Sequence, residues 1–526
     1  MSGRGGGRGG RRPPPTARQA VEALLRERLG FRGFKASLEV EASRAAERAE
    51  GEPGRRRDLT ELATFTVDPA TARDFDDAVS AQREGPGARV WVHIADVAAH
   101  VRPGSPLDLE ARMRGNSTYV PGAVEPMLPH ALSSHACSLS PGVERLAVTA
   151  EVELDEDGRP LSSRFYRSRI RSDARLDYDQ LDAIFAGRAW PPEAVAEPLA
   201  AARDIAAALG EHRGTTSLDV ESFEPEFRFD AGGNVTGATA VAQTEAHRLI
   251  ERLMVMTNEQ VAGTLASRRV PTIYRVHPQP DPPRIEHLLE QLAALGVPTP
   301  ALGQGLAPRA AGEVAAEASR LARREAARRG HGLEAYTSLV LRSLKQAYYS
   351  ERNTGHAGLG SDAYTHFTSP IRRYPDLLVH RALLAALGED EDAPRLREAR
   401  EVAAECSARE RESAHIERDA DDVCAAFLLE RELAERGLDA AFEGEISGVI
   451  RAGAFVGFRG ELGDVYEGMV PARRLPGERY ELDRAEVALV GRGGGARTLR
   501  LGDPLEVRVT GVDAPRGRVD LEPVEA

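Results

Sequence analysis

Four aspartates lie within ten residues directly after a short apolar run, and this stretch constrains the chain more than any other. Residues 63–67 have the composition of a β-strand, and Asp68, Asp74, Asp76 and Asp77 follow them. Carboxylates this close repel one another unless a cation lies between them, and a cluster of oxygen ligands suits magnesium or manganese. The stretch therefore predicts a strand that ends in a metal-binding loop, of the kind that activates phosphate esters for cleavage.

A solvated acidic loop is the main alternative, because aspartates are mostly exposed in folded proteins. Two details favour the metal site: Val67, Phe75 and Val79 interrupt the acidic run, and the spacing allows several carboxylates to point at one place. A calcium loop of the EF-hand type does not fit, because its glycine and its distal glutamate are missing at the required offsets.

The composition is that of a globular protein, since 41% of the 526 residues are hydrophobic and 29% are charged; this length suits roughly two to four domains. A net charge of −13 argues against a globally basic surface that coats nucleic acid, but leaves room for a local basic channel. The N-terminus is rich in Gly and Arg, and no run of about eighteen apolar residues occurs, so we expect a cytoplasmic protein without membrane contact. Cys137, Cys406 and Cys424 lie far apart in the sequence and are expected to be buried thiols in a reducing compartment.

Composition and periodicity divide the chain into segments. Residues 1–16 are expected to form a disordered Gly/Arg-rich arm, either an RNA-attracting tail or a merely solubilising one. Within residues 17–57, apolar spacing predicts a short helix over residues 17–29 with Gly30 as its C-cap, followed by a charged linker. Residues 58–436 mix strand and helix patterns, which predicts an α+β (mixed α/β) domain.

Within that domain, alternating apolar residues predict strands over residues 89–101, 146–154 and 162–170, the last two as a hairpin. Helical patterns occupy residues 178–210, 245–267, 309–329, 334–352, 374–387 and 394–436.

The last segment, residues 441–526, returns to short strands and predicts a five-stranded all-β barrel of the OB type. Such barrels bind single-stranded nucleic acid on exposed aromatic side chains. Phe455, Phe458 and Tyr466 are the candidates for that surface, with barrel core as the alternative for each.

A second cluster of functional residues lies in residues 368–376, which read TSPIRRYPD. Pro370 can interrupt the chain before a helix, and Arg372 and Arg373 lie near the start of that helix, where backbone N–H groups also favour anions. Pairing with surface acids is the alternative for both arginines.

Five motifs follow one another along the chain: Asp68-Pro-x-x-x-x-Asp74-x-Asp76-Asp77, Tyr119-Val-Pro-Gly with Pro126-Met-Leu-Pro129, the helix Glu245-Ala-His-Arg-Leu-Ile-Glu251, Tyr274-Arg-Val-His277 and Thr368-Ser-Pro-Ile-Arg-Arg-Tyr374. Together they resemble the catalytic (RNB) domain of the ribonuclease II and ribonuclease R family, over about residues 59–429. The tail, with Leu489-Val490-Gly491 and Leu501-Gly502-Asp503, resembles the S1-type OB-fold RNA-binding domain that ends ribonuclease R.

The resemblance implies a processive 3′–5′ exoribonuclease that hydrolyses single-stranded RNA with a free 3′ end to nucleoside 5′-monophosphates, using Mg²⁺ or, as a substitute, Mn²⁺. No obligate protein partner is evident from the sequence. The resemblance also implies a role for each matching position. Three aspartates bind the metal and the terminal phosphate (Asp68, Asp74, Asp77), Asp76 serves the chemical step, Arg372 steadies the scissile phosphate and Glu417 lies near the metal. Tyr119 stacks near the last base, and Tyr178 and Glu251 contact the RNA near its 3′ end and distinguish ribose from deoxyribose. Arg373 is a candidate RNA contact because of its positive charge beside Arg372.

For three of these residues the sequence leaves a structural role open. Tyr119 lies beside Pro121 and Gly122 and fits loop packing, Glu251 fits a buried acid paired to Arg248, and Glu417 fits a solvated helix face.

The chain also departs from the family pattern. Two cold-shock barrels usually precede the catalytic domain, whereas residues 1–57 hold only the predicted arm and short helix. The aromatic residue that usually caps the base stack has no clear counterpart, since Val220 stands near its expected position with Phe223 close by. An RNA-binding regulator with an inactive RNB fold is the alternative function, and the intact aspartate set argues against it. A phosphatase or DNase fits less well, because the OB-fold and Tyr119 imply a polymer and Glu251 implies ribose.

Overall fold

The computed structural model describes residues 15–51, 54–213, 224–301, 307–389, 391–463, 466–475, 477, 479–494 and 497–524. The predicted arm at residues 1–16 falls almost entirely outside these ranges, and so do Val220 and Phe223. Within the described ranges, no helix is both long enough and apolar enough to cross a membrane. The three cysteines are free and buried, as predicted.

A seven-stranded sheet lies in the largest hydrophobic core of the described residues. The first strands of the chain, β1 to β9, are Arg57–Asp58, Phe65–Asp68, Asp77–Glu84, Gly87–Ala95, Thr118–Val120, Ala123–Glu125, Glu144–Leu154, Pro160–Arg171 and Ala174–Asp177. β5 and β6 form a hairpin of their own, and the other strands pair in the order β1-β8-β7-β4-β3-β2-β9. β7 and β8 are antiparallel, which confirms the predicted hairpin.

The helices surround this sheet and connect it to the C-terminal barrel. In chain order, α1 to α11 are Ala17–Leu29, Ala36–Gly51, Pro106–Arg114, Tyr178–Phe185, Ala196–Arg213, Glu245–Ser267, Pro282–Ala294, Pro308–Arg329, Leu333–Ser343, Tyr374–Ala386 and Leu396–Arg436. The long α11 buries Val402 and Cys406 in the sheet core and Ile416 and Leu429 in the barrel core. One continuous helix therefore fixes the barrel relative to the sheet.

Four predicted segments differ from the structure. The strand predicted over residues 89–101 ends at Ala95, and a short 3-10 helix follows at Val97–Ala99. The expected linker after residue 30 contains α2, because Leu38, Ala42, Ala45 and Ala49 form a buried stripe that the many charges around them obscure. The helix predicted over residues 178–210 is two helices, α4 and α5, separated at Pro191–Pro192. The helix predicted over residues 334–352 ends at Ser343, and a strand follows at Tyr348–Ser350.

The C-terminal segment forms the predicted five-stranded barrel. The remaining strands, β10 to β21, are Glu224–Phe229, Val235–Val241, Tyr274–Val276, Tyr348–Ser350, Ala441–Ile450, Gly453–Phe458, Tyr466–Pro471, Arg479–Leu482, Ala488–Arg492, Thr498–Arg500, Pro504–Asp513 and Arg518–Pro523. The barrel closes in the order β14-β15-β16-β21-β20, and β17, β18 and β19 form an additional small sheet that the sequence did not predict.

Two of the predicted stacking aromatics belong to the core of this barrel. Phe458 and Tyr466 are 3% and 2% exposed, and their rings lie 5.5 Å apart. Side chains alternate along a strand, so Phe458 shares the inward face of β15 with Ala454 and Val456, whereas Phe455 faces outward and is only partly buried. The Tyr466 hydroxyl donates a hydrogen bond to Glu432 of α11. The prediction that Phe458 and Tyr466 stack on RNA is therefore wrong.

Phe458→Ala should lower the unfolding free energy of the barrel by about 3–5 kcal/mol, because it removes a buried ring and leaves a cavity. Phe455→Ala, on the outward face of the same strand, should cost much less. The unfolding free energies of both variants are measured by urea titration, with hydrogen exchange of the barrel strands as the signal. Equal, small losses for the two variants would contradict this assignment of faces.

Candidate active site

The aspartate stretch forms the connection between two neighbouring strands at one end of the sheet. Asp68 is the last residue of β2 and Asp77 is the first residue of β3. Ser138 fixes the loop between them, since its hydroxyl accepts from the Phe75 N–H at 3.0 Å and donates to the Arg73 carbonyl at 2.9 Å. The Phe75 ring is buried, which anchors the loop in the core between Asp74 and Asp76.

Asp76 is buried, with 4% of its surface exposed, and contacts a loop nearly three hundred residues away in sequence. The Ile371 N–H donates to its Oδ1 at 2.8 Å, and the Arg372 Nε lies 3.6 Å from its Oδ2. Oδ2 is buried and has no hydrogen bond. Burial raises the pKa of Asp76 well above its ordinary value, and Arg372 and the Ile371 N–H oppose that rise. One oxygen of this carboxylate is thus held in place and the other remains available.

The loop before α10 is held by buried polar groups on both sides. Asn258 of α6 accepts from the Phe367 N–H at 2.9 Å, and the Asp376 carboxylate accepts from the Ser369 N–H at 2.8 Å. Further along, the Arg372 carbonyl accepts from the Ser117 N–H at 2.9 Å. This loop therefore places Arg372 between Asp76 and the chain that leads into β5.

The two adjacent arginines have different environments. The Arg372 side chain is 48% exposed, and its Nη2 donates to the Ser369 hydroxyl. Arg373 instead donates to the fully buried Asp376 at 2.8 Å, and its side chain is 22% exposed. A buried carboxylate needs a cation, and Arg373 supplies it. We therefore correct the predicted RNA contact of Arg373 to a role in holding the loop.

Tyr119 connects two of the predicted acidic residues. It lies on β5, where its N–H donates to Glu417 of α11 at 2.9 Å and its hydroxyl donates to Asp74 at 2.8 Å. Burial, with the nearby charge of Asp74, raises the pKa of Tyr119. Glu417 thus does more than face solvent, and Tyr119 does more than pack a loop, since both contribute to the aspartate site.

Tyr178 begins α4 on the other side of the aspartates. Its ring stacks on His247 of α6, with 3.9 Å between the ring centroids. Burial, together with the charges of Asp77 and Asp68, raises the pKa of Tyr178. Glu251 lies one helical turn after His247 and is exposed, which does not support the alternative of a buried acid paired to Arg248.

The carboxylates of Asp68, Asp74, Asp76 and Asp77 form an oxygen-only set. Burial, and then repulsion by Asp77 and Asp74, raises the pKa of Asp68 to about 8, against the opposing charges of Arg175 and Arg372. Burial likewise raises the pKa of Asp77 to about 6. One buried oxygen of Asp68 and one of Asp76 have no hydrogen bond. These unmet acceptors fit a hard divalent ion.

A complete metal cage is not preformed, because no group of three or more His, Cys, Asp or Glu side chains in the described residues is arranged to hold an ion. Magnesium is usually bound through one or two carboxylates, with waters and substrate phosphates filling the other positions. The residues present therefore fit a site that substrate completes.

The comparisons with known proteins agree with this geometry. The RNB domain model matches residues 56–389 and the S1 RNA binding domain model matches residues 437–522. The chain belongs to the RNB-domain family. The family inferred from the motifs and the predicted fold class are both confirmed.

Among curated relatives, this RNB-family chain is 37% identical to ribonuclease R of Aquifex aeolicus over 507 residues, which are 93% of this chain and 68% of the relative. It is 35% identical to ribonuclease R of Escherichia coli over 486 residues, with 89% of this chain covered but only 57% of the relative. The chain thus spans little more than half the length of that relative.

Solved structures give the same result. RNase R of Mycoplasma genitalium, in complex with ribose methylated single-stranded RNA, matches 96% of this chain and 77% of its own, with a TM-score of 0.86 and 28% identity. Yeast Ssd1, a pseudonuclease, matches 90% of this chain and 58% of its own with a TM-score of 0.66 at 18% identity, which shows a shared fold alone.

The RNB site contains three residues that the sequence did not single out. Arg175 of β9 donates to the carbonyls of Pro69 and Ala70 and opposes the rise in the pKa of Asp68. His247 stacks on Tyr178, and Asn258 holds the Arg372 loop. His247 could have been predicted, because it lies inside the helix motif of residues 245–251. Arg175 and Asn258 have no sequence signal, because strand pairing and helix packing bring them to the site.

Arg373→Gln should destabilise the protein by about 3–5 kcal/mol, because it leaves the buried Asp376 without its cation. Arg372→Gln, one residue earlier and more exposed, should change stability by less than about 1 kcal/mol. Guanidinium unfolding of the two variants provides a matched comparison. If Arg372→Gln proved the more destabilising, the division of roles between the two arginines would be wrong.

Proposed function

We propose that this chain is a 3′–5′ exoribonuclease that hydrolyses single-stranded RNA processively to nucleoside 5′-monophosphates with Mg²⁺ as its cofactor. The observation that carries the proposal is the meeting of Asp76, Arg372 and the Tyr119 hairpin at one buried carboxylate cluster. Membership of the RNB family and the single-stranded RNA bound by the Mycoplasma genitalium relative support it.

Each residue has a defined role in this reaction. Asp76 has one oxygen fixed by the Ile371 N–H and a second oxygen, beside the Arg372 Nε, that accepts no hydrogen bond and would orient or deprotonate the attacking water. Arg372 extends from that carboxylate toward solvent, where its charge offsets the negative charge that develops on the phosphoryl oxygens. Asp68, Asp74 and Asp77 would hold a magnesium ion once water and the substrate phosphate complete the site, and the ion would supply Lewis-acid stabilisation and a more acidic water.

The residues around the cluster bind the 3′ end of the RNA. Tyr119 is 36% exposed, so its ring offers a face for the terminal base while its hydroxyl holds Asp74. Stacking on an aromatic ring does not depend on base identity, which suits an enzyme without sequence preference. Tyr178 and the exposed Glu251 are the proposed contacts for the ribose, and Glu417 holds Tyr119 in place.

We assign residues 58–436 to catalysis and residues 441–526 to RNA binding, with residues 17–57 as a short N-terminal segment. The outward Phe455 of β15 is the stacking residue that remains on the barrel. The buried thiols fit a reducing compartment, and we place the protein in the cytoplasm. The protein would need no obligate protein partner.

An inactive RNB-fold regulator that only binds RNA is the competing function. Yeast Ssd1 is described as a pseudonuclease, so the fold alone does not decide between them. The four aspartates, with Arg372 against Asp76, favour catalysis, because a protein that only binds RNA gains nothing from buried carboxylates that repel phosphate.

Asp76→Asn should stop the shortening of 5′-labelled single-stranded RNA, because a transition-state contact is lost. The affinity for that RNA should stay within about threefold of wild type, because the binding surface is kept. Gel analysis and fluorescence anisotropy measure the two quantities. A parallel loss of binding would show that the residue is structural. Absence of cleavage by the wild-type protein with Mg²⁺ would favour the regulator.

Phe455→Ala should weaken binding of single-stranded RNA by about 1–3 kcal/mol, the contribution of one stacked base, without lowering the rate at saturating RNA. Phe455→Tyr keeps the ring and serves as the control. Titrations at several salt concentrations give the affinities. If both variants bind like wild type, Phe455 takes no part in RNA binding.

A further inference from the structure

The hairpin that carries Tyr119 has few internal contacts to fix its position. β5 and β6 are three residues each, and among the described strands each pairs with the other alone. The α11 side of the hairpin is held by Glu417, which accepts from the Tyr119 N–H, and by the shared hydrogen bond of the Thr118 and Ser413 hydroxyls. Its turn lies against the Phe229 ring, because a Cβ on Gly122 would be 3.3 Å from that ring.

The other end of the hairpin is held by a buried ion cluster. Glu125, the last residue of β6, is 4% exposed. Its Oε1 accepts from the Arg114 Nη1 at 2.9 Å and from the Gly33 N–H at 2.7 Å, and the Arg32 Nε lies 3.2 Å from its Oε2. Two of these three partners come from the segment between α1 and α2, before the catalytic domain.

The same segment also encloses Arg114. The guanidinium carbon of Arg114 lies 4.4 Å from the centroid of the Phe31 ring and 3.8 Å from that of the Phe34 ring. Its Nη2 donates to the Gly33 carbonyl. Two aromatic faces and a backbone carbonyl shield the Arg114–Glu125 pair from water, which strengthens the attraction between the two charges.

The segment is fixed at both of its own ends. α1 is joined to β10–β11 by the Arg18 N–H, which donates to the Gly233 carbonyl at 3.1 Å, and it buries Val21 and Leu25 in the core that it shares with α11 and the barrel. α2 buries Leu38 and Ala42 in the core of the sheet. Residues 30–35, which we name the brace, therefore connect two docked helices and cross the hairpin at Glu125.

We propose that the brace positions Tyr119 over the aspartate cluster, acting through Glu125, so that the N-terminal segment is part of the 3′-end binding site. The inference rests on the proposed exoribonuclease function, since it concerns how the terminal base is held. Glu125, Arg32 and Phe34 are positioning residues in this account, because they reach the substrate only through the hairpin. Loosening the brace lets the hairpin shift without changing Asp76 or Arg372.

Single-stranded RNA with 2-aminopurine at its 3′ end tests the proposal, because stacking on an aromatic ring quenches that base. Quenching is measured without divalent ion, so that the RNA stays intact, and anisotropy of a 5′ label reports binding of the rest of the strand. Arg32→Ala and Glu125→Gln should lose most of the quenching and slow single-turnover cleavage about tenfold, while the 5′ label binds as before; a tenfold change corresponds to about 1.4 kcal/mol.

Arg28→Ala is the matched control. It removes an arginine from the same N-terminal segment that is also paired to an acid, but its partner Asp419 lies on α11 and not on the hairpin. This pair is exposed and contributes little to stability, so α1 stays docked through its buried side chains. This variant should quench and cleave like wild type. Arg32 is exposed, so its variant tests the brace even if Glu125→Gln unfolds.

The outcomes separate the two proposals. If the wild-type protein quenches and cleaves, and Arg32→Ala does both equally well, the proposed role of the brace is overturned. The exoribonuclease function is unaffected by that result. Equal losses in Arg28→Ala and Arg32→Ala would also overturn it, because the effect would then be general to the segment. A wild-type protein that neither quenches nor cleaves would contradict the proposed function itself.

Discussion

The Asp76 carboxylate joins two parts of the chain that are nearly three hundred residues apart, and the rest of the site is built around that contact. Burying several like charges is unfavourable, as the raised pKa values of Asp68, Asp76 and Asp77 indicate. The fold offsets this cost with a backbone N–H from Ile371 and a guanidinium from Arg372. Within the aspartate cluster, one oxygen of Asp68 and one of Asp76 have no hydrogen bond, and a divalent ion that also binds the substrate phosphate would satisfy them.

The long helix α11 connects the aspartate site to the C-terminal barrel. Its middle holds the Tyr119 hairpin through Ser413 and Glu417, and its last turns hold the barrel through Glu432, which accepts from the N–H of Glu461 and the hydroxyl of Tyr466. A single rigid element thus sets the distance between the candidate catalytic cluster and the candidate RNA-binding barrel. The brace adds a second restraint on the same hairpin from the N-terminal side.

Features that depend on neighbours in sequence could be predicted from the sequence. The aspartates are adjacent in the chain, the α1 and α6 boundaries follow from apolar spacing, and the barrel follows from short alternating strands. Features that depend on packing could not. Tyr119 and Glu417 meet across 298 positions, and Arg373 turns inward because Asp376 is buried. The inward orientation of Phe458 could have been predicted, because Phe458 shares a two-residue period with Ala454 and Val456.

The central claim is that the carboxylate cluster acts on the 3′ end of RNA and nowhere else along the strand. Digestion of a 5′-labelled single-stranded RNA with Mg²⁺, with chromatography of the released products and an identical DNA strand in parallel, tests it most directly. The account predicts nucleoside 5′-monophosphates from the first time point, one short labelled limit fragment and intact DNA. Labelled fragments that arise from cleavage within the strand would contradict it, and so would nucleoside 3′-monophosphates or equal attack on DNA.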